Sequence, residues 1–132
     1  MSEEGAGEER GQRRLMYHYT DRAGYNSIRA GVDWCFKANT PPPGDEDHPR
    51  ASYFTTWGPG APNLERLRLP IDKRRYVFVF EDAGDLIPLR GGRGSYILYF
   101  RGDYVVERVR QRDSGESSAV ASRIGVDPEN HP

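Results

Sequence analysis

Apolar residues in this chain come in short bursts, divided by polar stretches that carry its glycines, prolines and charges. The first burst, Leu15-Met16-Tyr17-His18-Tyr19, is aromatic and ends on a Thr20-Asp21 turn signal, which predicts a strand. A helix follows. Thr20 or Asp21 can cap it, Tyr25, Ile28 and Val32 recur at helical spacing to bury one stripe, and Gly31 is placed to stop it. Lys37 to Arg50 holds three consecutive prolines and must be a loop. Ser52 to Thr56 reads as a second strand, broken by Gly58-Pro59-Gly60-Ala61-Pro62, and Asn63 to Leu69 as a short helix.

The strongest strand signal is Arg75 to Phe80, whose Tyr76-Val77-Phe78-Val79-Phe80 run is wholly aromatic and β-branched. Leu86 to Leu89 contains Pro88, which lacks a ladder donor and so belongs at a sheet edge. Gly91-Gly92-Arg93-Gly94 reads as a turn, and Ser95 to Phe100 as another strand. Arg101-Gly102-Asp103 then turns into Tyr104 to Val109, a half-buried partner strand. About six strands and one or two short helices, with no alternation of strand and helix, predict an α+β fold with mostly antiparallel sheet. Residues 1–14 read as a disordered N-terminal segment and 15–110 as the folded domain. Residues 111–132 read as a polar C-terminal tail of mostly loose chain, with a short helix around Ala119 to Ile124 at most.

Bulk properties narrow the function only slightly. The chain has 132 residues, enough for one core. Charged residues make up 30%, yet the net charge is −1, so bulk electrostatics give no argument for nucleic acid or a membrane surface. The single cysteine, Cys35, cannot form an internal disulfide and fits a reducing compartment; between Trp34 and Phe36 it reads as a small buried apolar residue. No apolar run approaches the roughly 20 residues of a membrane span. The acidic, glycine-rich start is not a signal peptide, which points to a cytoplasmic protein or one exported by another route. His48 and His131 sit in polar loops without partners at metal-ligand spacing, so no metal site is expected.

Two segments carry the chemistry. Tyr17-His18-Tyr19-Thr20, followed by Gly24-Tyr25 to Ile28, resembles the first motif of the histidine–tyrosine–glutamate signature in the diphtheria-toxin and poly-ADP-ribose polymerase branch of ADP-ribosyltransferases. That motif runs Tyr-His-Gly-Thr or Trp-His-Gly-Ser before a short helix. Ala51-Ser52-Tyr53-Phe54-Thr55-Thr56 is similar to the second motif, and Ser95-Tyr96-Ile97-Leu98-Tyr99 stands where the third begins. A small bacterial toxin-type family with a histidine–tyrosine–aspartate signature looks closer still. The resemblance spans about Leu15 to Val109 and implies split antiparallel β-sheets around a cleft for NAD, which is the substrate.

On that resemblance, the protein consumes NAD by breaking the nicotinamide–ribose bond, either as a mono-ADP-ribosyltransferase or as an NAD glycohydrolase, with an acceptor that the motifs do not name. His18 would orient the adenosine ribose, and the backbone of Tyr19 would grip the carboxamide. Thr20 would bond a ribose or phosphate oxygen. Tyr53 would stack on nicotinamide, with Trp57 or Tyr25 on its other face, and Phe54 and Thr55 would complete the site. The imidazole and the phenol must then face one cleft from neighbouring strand ends. The family carboxylate is replaced by Ser95, so a substitute acid is needed; Asp82 is the best match, ahead of Glu81, Asp85 and Asp103. Two alternatives keep the fold without that acid: an NAD-dependent RNA 2′-phosphotransferase and a catalytically silent module that binds NAD or ADP-ribose. Other readings of the same residues stay open. His18 can be a satisfied structural histidine or pair with Cys35 as a thiol nucleophile, Tyr53 can be ordinary core, and Lys73-Arg74-Arg75 can be a solvated strand approach or a pyrophosphate contact.

Overall fold

A computed structural model describes residues 14–41, 47–62 and 64–124. It is mixed α+β, with antiparallel strands in a six-stranded and a two-stranded sheet and two α-helices among the described residues. The strands are β1 (Leu15–Thr20), β2 (Trp34–Phe36), β3 (Ser52–Thr55), β4 (Tyr76–Glu81), β5 (Ile87–Pro88), β6 (Ile97–Phe100), β7 (Tyr104–Val106) and β8 (Gln111–Glu116). The helices are α1 (Arg22–Ile28) and α2 (Ser117–Ile124). The large sheet runs β5-β6-β3-β1-β4-β8, and β2 pairs with β7 in the small one. Pro88 lies in β5 at the sheet edge, as its missing donor requires.

Strand β4 is the centre because its aromatic and β-branched residues are buried at every position and serve both faces. Phe78 and Phe80 point into a cluster with Met16, Trp34, Phe36, Phe54, Leu98, Tyr104 and Val106, so α1 and the small sheet cover this face. Val77 and Val79 point the other way, to Tyr17, Tyr19, Trp57, Leu67, Ile97 and Val120, under α2 and the segment that carries two 3-10 turns, Leu64–Leu67 and Ile71–Arg74. The six-stranded sheet is thus sandwiched.

One seam in it is weak. β1 matches β4 over six pairs, from Leu15↔Glu81 to Thr20↔Tyr76, and β3 matches β6 over four. Between β1 and β3 the ladder holds at one pair, Tyr17↔Thr55. Beyond it the C-terminal end of β1 and the N-terminal end of β3 form a wedge.

Several expectations need correction. Residues 111–124 are not loose chain: β8 pairs along β4, and α2 folds back with Val120 fully buried. The sequence Gln111-Arg112-Asp113-Ser114-Gly115-Glu116 has no apolar alternation because β8 is a charged edge strand, held by backbone pairing and by ion pairs from Arg112 to Glu81 and from Arg123 to Asp113. Strand β7 does not form a hairpin with β6. Gly102 (φ 96°) turns the chain away, and Tyr104 and Val106 are buried, with β7 paired to β2, a strand outside those expected. Helix α1 stops at Ile28, so Val32 is 67% exposed rather than buried. Gly31 does not adopt a left-handed conformation. Ser95 closes a 3-10 turn, Gly92–Ser95, and does not start a strand. The expected short helix before Leu69 is the 3-10 turn Leu64–Leu67, and its proposed first residue, Asn63, lies outside the described residues, as do 1–13, 42–46 and 125–132.

Candidate functional site

The wedge opens into a cleft of about 570 Å³, within the size range of ligand pockets. His18, Tyr19, Thr20, Tyr53, Phe54 and Thr55 all border it. The two motifs, distant in sequence, therefore meet because β1 and β3 are neighbours in the sheet.

His18 sits where the ladder has opened. Its Nδ1 lies 3.0 Å from the carbonyl oxygen of Tyr53, in place of a backbone partner. A carbonyl only accepts, so Nδ1 carries the hydrogen and Nε2 keeps a lone pair. The ring packs against Phe36 at 4.8 Å and Phe54 at 5.6 Å between centroids. Burial among these rings pushes its pKa down to about 4, against the opposing pull of the carbonyl bond. The imidazole is neutral at physiological pH and offers a lone pair rather than a charge.

Tyr53 meets the cleft from the other side. Alternation along the strands puts Tyr17, Tyr53 and Thr55 on one face and His18 and Phe54 on the opposite one. The imidazole and the phenol are neighbours, yet they do not face each other across a flat ligand, and the expected two-ring clamp is corrected on this point. The Tyr53 hydroxyl donates to the Pro49 carbonyl at 2.6 Å and lies 2.5 Å from Nδ1 of His48. His48 lies in a loop, as its polar segment predicts. It is half-buried with its ring 4.4 Å from that of Tyr99.

The remaining expected residues divide. Thr20 borders the cleft at the end of β1, and the Tyr19 hydroxyl donates to the Trp57 carbonyl at 2.9 Å, with burial pushing its pKa up. Thr55 Oγ1 accepts from the Trp57 N–H at 3.2 Å. Phe54 is core, edge-on to Phe36 and Phe80. Tyr25 and Trp57 do not border the cleft: Tyr25 stacks on Tyr76 at 4.7 Å, and Trp57 stacks on Tyr96 at 4.0 Å. Neither supplies a second face for a ring.

The carboxylate positions also move out of the site. Ser95 is exposed, with Oγ bonded to the Gly92 carbonyl at 3.2 Å. Asp82 lies just past β4, accepts from Gly84 N at 2.9 Å and holds Arg14 through two nitrogens, at 3.1 and 2.8 Å. The register sets His18 opposite Phe78, four residues from Asp82, a strand separation of about 13 Å. Glu81 is buried and pairs with exposed Arg112, Asp85 accepts from the Tyr104 hydroxyl, and Asp103 accepts from the Ala38 N–H. Among the described residues, no carboxylate borders the cleft.

What borders it instead is hydroxyl, amide and amine. Ser27 of α1, Asn39 and Thr40 after β2, and Lys37 and Lys73 all line it, as does half-buried Cys35. The missed residues after β2 had one signal in the sequence, the compact apolar triplet Trp34-Cys35-Phe36 that carries Lys37 on its end. Among the described residues, no group of three or more His, Cys, Asp or Glu side chains could hold a metal, and no helix is long and apolar enough to cross a membrane. Comparison of the chain with models of protein families finds no match, and neither does comparison with curated proteins or with solved structures.

Proposed function

We propose that the wedge binds NAD, and that the protein is an NAD-consuming enzyme of the ADP-ribosyltransferase type that cleaves the nicotinamide–ribose bond. The observation that carries this reading is the single-pair seam at Tyr17↔Thr55, beyond which residues of both motifs border one cleft although the His18 and Tyr53 rings lie on opposite faces of the sheet. His18 positions a ligand hydroxyl through the Nε2 lone pair, since Nδ1 is committed to the Tyr53 carbonyl. Thr20 and the lysines offer donors to sugar and phosphate oxygens. The lone cysteine is compatible with a reducing, cytoplasmic setting.

A second reading is favoured by the lining itself. With Ser95 and Asp82 outside the cleft, a protein that binds NAD or ADP-ribose without carboxylate chemistry fits equally: a silent module or an RNA 2′-phosphotransferase. Absence of one well-placed charge costs roughly 10²–10³ in rate at an enclosed site, so slow turnover is expected of the first reading.

Incubation of the full chain with NAD separates these. Free nicotinamide without an added target indicates hydrolysis, label on protein indicates transfer, and tight ADP-ribose binding with neither indicates a silent module. His18→Ala is expected to weaken the observed activity or binding about tenfold or more, the worth of a lost hydrogen bond plus lost positioning. No binding and no nicotinamide release from the wild type defeats the proposal.

A further inference from the structure

The chain has two lysines, Lys37 and Lys73; every other strongly basic side chain, out of 19, is arginine. Both lysines border the cleft. They reach it from separate elements. Lys37 follows β2, which lies beside the start of β3 through the Ser52 Oγ contact to the Phe36 carbonyl at 2.9 Å. Lys73 lies in the 3-10 turn Ile71–Arg74 and contacts Asp21, the residue just past β1, at 2.7 Å. The wedge opens between those same two strand ends.

We propose that Lys37 and Lys73 form the anion subsite of the cleft and grip the pyrophosphate of a dinucleotide from the two sides of the wedge. The proposal rests on the reading of the cleft as a site for NAD or ADP-ribose, and it names which part of the ligand lies where. No carboxylate lines the cleft among the described residues and His18 is neutral, so Lys37 and Lys73 are the charged residues of its lining. Each ammonium is parked on a rim carboxylate, Lys73 on Asp21 and Lys37 on Asp103 at 3.5 Å. Exposed pairs of this kind are weak, so an ammonium exchanges readily to a doubly charged phosphate chain. The choice of lysine suits that exchange. Its ammonium is a point charge on a flexible stem with three rotating donors, whereas a guanidinium is a rigid fork. Thr20 and Asn39 stand on the same walls and can donate to the remaining phosphate oxygens.

The test uses the folded full chain and an amine acylating reagent, with labelling at Lys37 and Lys73 followed by peptide mass spectrometry. ADP-ribose and inorganic pyrophosphate are each expected to slow labelling of both lysines about fivefold or more, and adenosine to leave it unchanged. Lys37→Ala and Lys73→Ala are each expected to weaken ADP-ribose about tenfold, the scale of a charge-assisted hydrogen bond, with Arg in place of Lys restoring part of it. Their side chains are 74% and 51% exposed, so thermal unfolding should not move, and it serves as the folding control. Protection by pyrophosphate but not by ADP-ribose upholds the anion subsite and defeats the NAD reading. Binding of ADP-ribose that weakens in His18→Ala while both lysines label at an unchanged rate overturns the subsite and leaves the NAD reading standing. Protection by neither ligand overturns both.

Discussion

His18 shows how a single residue links stability to the site. Its pKa falls from 6.5 in a water-exposed chain to about 4 in the fold, so the unfolded state binds the proton more readily. The neutral ring's contribution is fully present above pH 6.5 and is lost as pH falls through that window to about 4. The loss is on the order of 3 kcal/mol, at about 1.4 kcal/mol per pKa unit. Urea midpoints measured from pH 7 to pH 4 should therefore drop, and His18→Asn should flatten much of that slope. An unchanged slope in the variant would mean that other groups carry it. His18 was legible in the sequence as a strand-end residue beside a turn. Its partner was not, because the Tyr53 carbonyl becomes available only where the β1–β3 ladder opens.

At the scale of elements, α1 is short and fully buries none of its residues, so it is held by contacts rather than by its own propensity. Asp21 caps it by accepting from Gly24 N at 2.9 Å, and Tyr25 stacks on Tyr76. Gly24 is there for space: a Cβ would fall 2.0 Å from Oγ1 of Thr20 and 3.2 Å from its Cβ. Alanine is normally better than glycine inside a helix by about 1 kcal/mol, but this contact reverses the sign. Gly24→Ala should cost about 1–3 kcal/mol in urea unfolding, and adding Thr20→Ala should recover part of it. A stabilised Gly24→Ala protein would show that α1 moves away freely and that its distance from β1 is not set by Thr20. The cap and the helix start were readable in advance from Thr20-Asp21, whereas the helix end was not. Val32 keeps the helical spacing, but the chain has already turned toward β2, and no core lies under it.

For the whole molecule, the decisive feature is closure by the C-terminal segment. Strand β8 covers the edge of β4, and Ser117 anchors α2 through its N–H to the Arg75 carbonyl at 2.8 Å and its hydroxyl to the Arg74 carbonyl at 2.6 Å. A chain that ends at Arg110 would leave β4, buried at every position, with an open apolar edge and would lose Val120 from the core. Such a strand edge is an aggregation template. The truncated chain should show no cooperative thermal transition by circular dichroism and should associate in solution. A cooperative melt matching that of the full chain would place the end of the folding unit at Arg110 after all.

Local chemistry in the sequence determined that the aromatic segments of β1, β3, β4 and β6 extend, where the first helix is capped, and that Pro88 lies at an edge. Side-chain pattern reports burial on one face, so it located the aromatic strands well. Tertiary pairing alone decided that β7 joins β2, that a polar segment becomes β8, and that His18 and Tyr53 point to opposite faces of adjacent strands. It also brought Lys37 and Lys73 to one cleft and left Ser95 and Asp82 outside it. The reason is physical. Backbone hydrogen bonds between distant strands are made by groups common to nearly every residue, so the identity of a strand's partner is not written in its own side chains.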